Sequence, residues 1–403
     1  MQVFDDLEDF GSFDDAVSGD VRDPHTELAQ RRREGAVQKL DLSGMPMADE
    51  AKPIFMVYGY DEVEEVLRDN ATYSSSIILA VFGDVLGKKV MLGMDEPEHR
   101  RLRALLSGAF TQRAIGRRQH DLVERVADEL IDRFADRGRA ELTREFTFPY
   151  PTQIIANLLG LPAEDYPQFQ RWSISILAFT VNRERALAAS EALREYFLPI
   201  LAARRAEPRD DLISSLARAE IDGEKLDDEE IFSFLRLLLP AGIETTYRST
   251  GNLLFGLLSH PDQLDAVRAD RSLIPQAIEE AVRWEPPLLT ITRVVTRDTE
   301  LGGHAIPAGS TVMPYLGAAN RDERRWESPD RFDVHRTVKP HIGFGHGVHV
   351  CLGMHLARLE MSVALNRLFD RLPNLRLDPD GDDPHIRGQV FRSPTSLPVL
   401  FGE

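Results

Sequence analysis

His341-Ile342-Gly343-Phe344-Gly345-His346-Gly347-Val348-His349-Val350-Cys351-Leu352-Gly353-Met354-His355-Leu356-Ala357-Arg358 is the stretch that decides how this chain is read. Three glycines alternate ahead of the one cysteine, and a helical pattern follows it. Residues without a Cβ let backbone come close to a flat object. The amides of such a loop can point at the sulfur, and the N-terminus of the next helix stabilises a thiolate. By count alone a lone cysteine is a small buried hydrophobe, but these neighbours point to a ligand. Zinc is the rival reading, with His346, His349, Cys351 and His355 as four possible ligands. His-x2-His-x-Cys-x3-His is not a usual zinc spacing, and zinc gives no reason for glycine at 343, 345, 347 and 353.

Upstream, the strongest helix begins at Asp227-Asp228-Glu229-Glu230, where acids suit a helix N-terminus, and runs to Ser259 before His260-Pro261. At 1.5 Å per residue it spans roughly 45–50 Å. It is apolar on most faces, which predicts a central, buried position. Pro240 removes a backbone donor and Gly242 weakens the next turn, so a kink or bulge is expected there. Helical spacing also marks Leu122–Phe134, Leu187–Ala203 and the short Ile213–Leu216. Strand candidates are Ile54–Val57, Arg293–Thr296 and Thr311–Met313, with a turn at Gly302-Gly303. The first 50 residues read as irregular, and no repeat, linker or composition break divides the chain. The pattern is mainly α with small β-sheets.

Residues 344 to 358, Phe-Gly-x-Gly-x-His-x-Cys-Leu-Gly-x-x-Leu-Ala-Arg, resemble the haem-ligand loop of the bacterial cytochromes P450. Other motifs agree, and the resemblance covers the chain nearly end to end. Ala241-Gly242-Ile243-Glu244-Thr245-Thr246 is similar to the family's small-Gly-x-acid-Thr motif for oxygen activation. A small residue and a glycine leave room for O₂, Thr245 can hydrogen-bond dioxygen there, and Glu244 can pass protons inward. Pro240 departs from the aliphatic residue more common before that motif. Glu280 and Arg283 resemble the family's Glu-x-x-Arg pair, and i, i+3 spacing lets them meet on one helix face. Arg331 matches the third, structural member of that charge network.

The resemblance implies one haem domain over residues 1–403, with a long central helix above haem b and the cysteine loop beneath it. It implies Cys351 as iron ligand, with Phe344, Gly345, Gly353, Ala241 and Gly242 against the haem. His99, Arg103, Arg293 and His349 match the family's propionate contacts, and arginine's fork suits carboxylates. The activity implied is a soluble monooxygenase that inserts one oxygen atom from O₂ into a hydrophobic small molecule. By resemblance the pocket includes Ile78, Phe179, Leu238, Leu288, Leu289, Val390 and Phe391, apolar apart from Thr180, Glu244 and Thr290 nearby. Leu161–Arg205 and Ser74–Gly87 are the expected lid. Two other classes fit less well. A peroxide-using or rearranging relative usually lacks the acid–Thr pair, and a non-catalytic haem carrier would not need it.

The formal charge is −18, from 48 basic and 66 acidic residues, which argues against general attraction to nucleic acid or anionic membrane. The start of the chain, Met1–Asp20, is acidic with no Lys or Arg, unlike a secretory signal. No stretch approaches the roughly 20 apolar residues of a membrane span. A cytoplasmic monomer is expected. No flavin or nicotinamide segment is recognisable, so electrons are expected from a separate iron–sulfur ferredoxin. Arg100, Arg101, Arg113, Arg117, Arg118 and Lys339 form the candidate basic patch for docking it.

Overall fold

The computed structural model describes residues 19–40, 52–108, 110, 117–177, 179 and 182–402. Helices dominate the middle of the chain, and short strands gather toward both ends. Asp227 opens the central helix as a capping box: its carboxylate accepts from the Glu230 amide, and the Glu230 side chain accepts from the Asp227 amide. The helix Asp228–Leu239 then meets Pro240, and Pro240–Glu244 adopts a π-helical turn before an α-helix resumes at Thr245–Leu258. The expected break is therefore a π-bulge, a form that recurs at functional positions. Leu122–Phe134 matches the helix Arg117–Ile131, which ends three residues sooner, while Leu187–Ala203 falls in Arg183–Ala206 and Ile213–Leu216 in Leu212–Arg218.

Five strands make the larger sheet, in the order Val37–Lys39, Ile54–Val57, Thr311–Pro314, Arg293–Val295, Tyr73–Ser74. Only Thr311–Pro314 and Ile54–Val57 run parallel, with Thr311 opposite Ile54. Arg376–Leu377, Pro398–Leu400 and Arg139–Glu141 form a second sheet. One apolar core joins the central helix to the helices around it, including Arg117–Ile131, Ile274–Trp284 and Met354–Arg371. A separate cluster underlies the larger sheet.

The first 50 residues are not all irregular. Residues 1–18 and 41–50 lie outside the described set, but His25–Glu34 is a helix and Val37–Lys39 a strand. The helix HTELAQRRRE has almost no apolar stripe, so periodicity could not reveal it. Polar anchors hold it: Arg32 donates to the Ala318 carbonyl at 2.9 Å and pairs with Glu323, while His25 Nε2 meets Glu285 at 2.9 Å.

Arg331 is corrected as the third member of the charge network. Arg283 binds both oxygens of buried Glu280, at 2.7 and 2.8 Å, as the spacing required. The second cation is Arg336, whose Nε donates to Glu280 Oε1 at 3.1 Å. The Arg331 side chain is exposed and gives only its backbone carbonyl, which accepts from Arg283 and Arg336. The chain turns at Ser328–Arg331, and five residues later Arg336 returns to the carboxylate. Removing Arg336 leaves Glu280 underpaired in the interior, so Arg336→Ala should cost about 3 kcal/mol or more of stability. Arg331→Ala should stay within about 0.5 kcal/mol. Denaturant midpoints of the two variants check this, and equal losses would return Arg331 to the network.

Candidate active site

The cysteine loop is shaped by its turns. The Gly345 amide donates to the Ile342 carbonyl, and the Cys351 amide returns to the Phe344 carbonyl at 2.9 Å. Gly345 and Gly347 have φ of 74° and 70°, and a Cβ on Gly347 would stand 2.5 Å from the Leu67 carbonyl oxygen. Only glycine fits there. The amides of Gly353 and Met354 donate to the Cys351 sulfur as the helix Met354–Arg371 begins. Burial pushes the thiol up, and those amides with Arg103 and Arg358 oppose it without cancelling it. A bound metal cation supplies the stabilisation a thiolate still lacks. Arg358 grips Glu279 in a fork at 2.7 and 2.8 Å and lies over the Phe344 ring, 4.5 Å from its centroid. Burial alone would raise the Glu279 carboxyl, but hydrogen bonds from His341 and Arg358 take it down to about 2.

The four basic groups assigned to carboxylate contacts come together beside the loop. The rings of His99 and His349 stand 4.1 Å apart. Burial, then the charges of His99, Arg293 and Arg103, lowers His349 to about 3, so it is neutral. Its Nε2 meets Ser75 Oγ at 3.0 Å. Neither ring nitrogen of buried His99 makes a hydrogen bond within 3.5 Å, although Nδ1 lies 3.6 Å from the Glu96 carboxylate. Arg293 is lowered to about 10 by burial, with only Asp95 opposing. Neither Arg103 nor Arg293 has an ion-pair partner among the described residues. Buried cations without anions are costly, and a planar group bearing carboxylates fits this cluster. A Cβ on Gly353 would meet nothing within 4 Å, so space beside the sulfur is left open. The zinc alternative finds no support: His346, His349, Cys351 and His355 do not converge. Among the described residues the one such cluster is His120, Asp121 and Glu124, at the surface.

On the central helix, Ala241 is open and Thr245 half-buried, four residues apart on one face. Thr245 Oγ1 donates to the Ala241 carbonyl at 2.7 Å. Gly242 does not share that face: a Cβ there would meet Ile155 at 3.1 Å and Leu238 at 3.7 Å. Its missing side chain admits Ile155, and Leu238 is buried beside it. The assignment of Leu289 to the pocket is corrected. It is buried with Leu28, Tyr58 and Ala318, because alternate residues of an extended segment face opposite ways. Leu288 pairs with Phe391 across a β-bridge, and Val390 is exposed. Ile78 is half-buried, and Phe179 packs on Phe82 with ring centroids 4.2 Å apart. Thr180 lies outside the described residues.

Sequence reasoning missed three contributors. Arg248 binds Glu244, and its i+4 position was the visible signal. Ser75 had none, since its partner is 274 residues away, whereas Arg358 closes the 344–358 motif but pairs with Glu279, 79 residues away. The basic patch is also reduced. Arg101 pairs with Glu230 and with Glu224, which ties it to the central helix instead of a docking face. Arg113 and the Arg117 and Arg118 side chains lie outside the described residues, while Arg100 and Lys339 are exposed.

With this geometry in place, comparison with known proteins gives the lineage. The family model for cytochrome P450 matches residues 161–400. Cytochrome P450 107B1 of Saccharopolyspora erythraea is 37% identical across 98% of this chain and 99% of its own length. This chain belongs to the cytochrome P450 family. Erythromycin C-12 hydroxylase of the same organism is 38% identical over 89% of this chain and 91% of its own. The solved structure of the bacillaene polyketide synthase P450 PksS from Bacillus subtilis 168 superposes with a TM-score of 0.87. It is 32% identical, covering 94% of this chain and 97% of PksS. This P450 is a monooxygenase, and its cofactor is haem. No helix among the described residues is long and apolar enough to cross a membrane.

Two elements of the expected lid are latched together. Arg183, at the start of the helix Arg183–Ala206, ion-pairs with Asp84 of the helix Ile77–Leu86, beside the Phe82–Phe179 contact. Both charges are exposed, and such a pair is worth about 0.2–1 kcal/mol. Asp84→Ala should therefore speed entry of a lipophilic ligand by up to about 5-fold in stopped-flow. About 1 M salt, where the Debye length is about 3 Å, should remove most of the difference from wild type. Equal entry rates at low salt would show that the pair is not a latch.

Proposed function

We propose that this P450 inserts one atom of O₂ into a lipophilic small molecule, by hydroxylation or epoxidation, with Cys351 as the thiolate ligand of the haem iron. One observation carries the reading. The sulfur receives the Gly353 and Met354 amides next to Arg103 and Arg293, which have no ion-pair partner among the described residues, and next to the stacked His99 and His349 rings. His99, Arg103, Arg293 and His349 would hold the haem carboxylates, with Phe344, Gly345, Gly353 and Ala241 against the ring. Haem with a thiolate ligand supplies the electron density that favours O–O cleavage. The protein holds the proton inventory. Thr245 keeps its hydroxyl on the Ala241 carbonyl, ready to turn toward dioxygen, and Glu244 one residue before it moves protons inward.

The half-buried apolar side chains Ile78, Phe82, Phe179, Leu288 and Phe391 support a hydrophobic substrate. Relatives whose names refer to erythromycin and to a bacillaene polyketide synthase favour a polyketide-like compound. We assign the enzyme to the cytoplasm as a monomer that takes electrons from a separate ferredoxin. Exposed Arg100 and Lys339 are the remaining described members of its docking patch. Reduction by an acidic ferredoxin should slow as salt rises.

The reduced, CO-bound protein should show the strongly red-shifted Soret band of thiolate ligation, and Cys351→Ser and Cys351→His should lose it. Protein purified with zinc and no haem would overturn the assignment. Thr245→Ala should keep the CO band while product per reducing equivalent falls roughly 10-fold and peroxide rises. Unchanged coupling in that variant would remove Thr245 from proton handling.

A further inference from the structure

One turn beyond Glu244, the central helix carries a fully buried arginine. Arg248 Nε donates to Glu244 Oε1 at 2.6 Å, and Nη2 makes a close ion pair with the same oxygen. Nη1 donates to Ser393 Oγ at 2.9 Å. The guanidinium lies 4.9 Å from the Tyr247 ring centroid and 5.5 Å from that of Phe391. The Tyr247 hydroxyl donates to Glu244 Oε1 at 3.3 Å. Arg248 is thus held from three sides. Ser393 and Phe391 belong to the C-terminal segment packed along the helix, and Phe391 bridges to Leu288. The clamp joins the carboxylate beside the bulge to a segment remote in sequence.

A carboxylate that relays protons must give them up as readily as it takes them. Burial works against this, because an unpaired interior carboxyl keeps its proton. Guanidinium is charged at any working pH, and its rigid fork fixes the orientation of what it binds. Surface glutamates at i, i+4 from an arginine gain little from the pair. Here both partners are buried, so the pairing decides the state of the carboxyl.

We propose that Arg248 is a positioning residue for oxygen activation, clamping Glu244 as an oriented carboxylate that can release each proton it accepts. The proposal rests on Glu244 serving as the proton relay. Ser393 is the clamp's outer anchor, and the stacked rings keep water from competing with it.

The test uses haem-loaded enzyme and O₂ as the probe, without an organic substrate. Excess plant-type ferredoxin and its reductase supply electrons from NADPH. Arg248→Gln should slow NADPH oxidation roughly 10-fold, and Arg248→Lys should restore part of the rate. Infrared difference spectra in H₂O and D₂O should show a protonated-carboxyl band in Arg248→Gln that wild type lacks. The band should vanish in the double variant Arg248→Gln/Glu244→Gln, and that variant should oxidise NADPH no more slowly than Glu244→Gln alone. If Arg248→Gln does not retain haem, Ser393→Ala, which removes the Nη1–Oγ bond, should slow oxidation by a smaller factor. A Glu244→Gln enzyme with wild-type rate would sink the relay reading itself. A slow Glu244→Gln beside a wild-type Arg248→Gln with no carboxyl band, or a wild-type Ser393→Ala where that variant stands in, would sink the clamp alone.

Discussion

Glu280 takes hydrogen bonds from Arg283, Arg336 and the Asp333 amide inside the protein, and the rest of the interior obeys the same demand. A charge removed from water must be paired or neutralised. Glu285 meets it with His25 at 2.9 Å and Arg392 at 2.7 Å, with Arg321 at 3.6 Å. Those partners hold its carboxyl well below the usual range although burial alone would raise it. These two networks fasten the N-terminal helix, the helix Ile274–Trp284 and the C-terminal strands to one another across most of the sequence. They also make the exception legible. Beside the cysteine loop Arg103 and Arg293 have no ion-pair partner among the described residues, and that is where an anionic cofactor belongs.

The π-bulge serves the same interior in another way. Pro240 cannot donate, so the central helix gives up its regular ladder there. Past the break the Thr245 hydroxyl donates to the Ala241 carbonyl, and Glu244 turns to the side where Arg248, Tyr247 and Ser393 wait. Gly242 completes the turn by letting Ile155 close against the helix. A single break thus supplies an open face for small molecules and a sealed face for charge.

Local chemistry was legible where neighbours in sequence are neighbours in space. The loop at 341–358, the break at Pro240, the Glu280–Arg283 pair and the cap at Asp227 all act within a few residues, so spacing alone exposed them. Even the Glu244–Arg248 pair lay within that reach, since i and i+4 share a helix face. The helix His25–Glu34 was hidden because its stability comes from Glu285, Ala318 and Glu323, hundreds of residues away, and not from an apolar stripe.

The sequence by itself therefore determined the sulfur, the turns that present it, the broken helix and the mainly helical class, because each follows from backbone freedom or periodicity over short range. Only the tertiary structure decided which cation completes Glu280, which way Leu289 and Gly242 face, and that Arg101 serves Glu230. Those outcomes depend on how distant elements pack. A one-residue change of facing in a strand or helix moves a side chain from pocket to core, and no pattern in the chain records it.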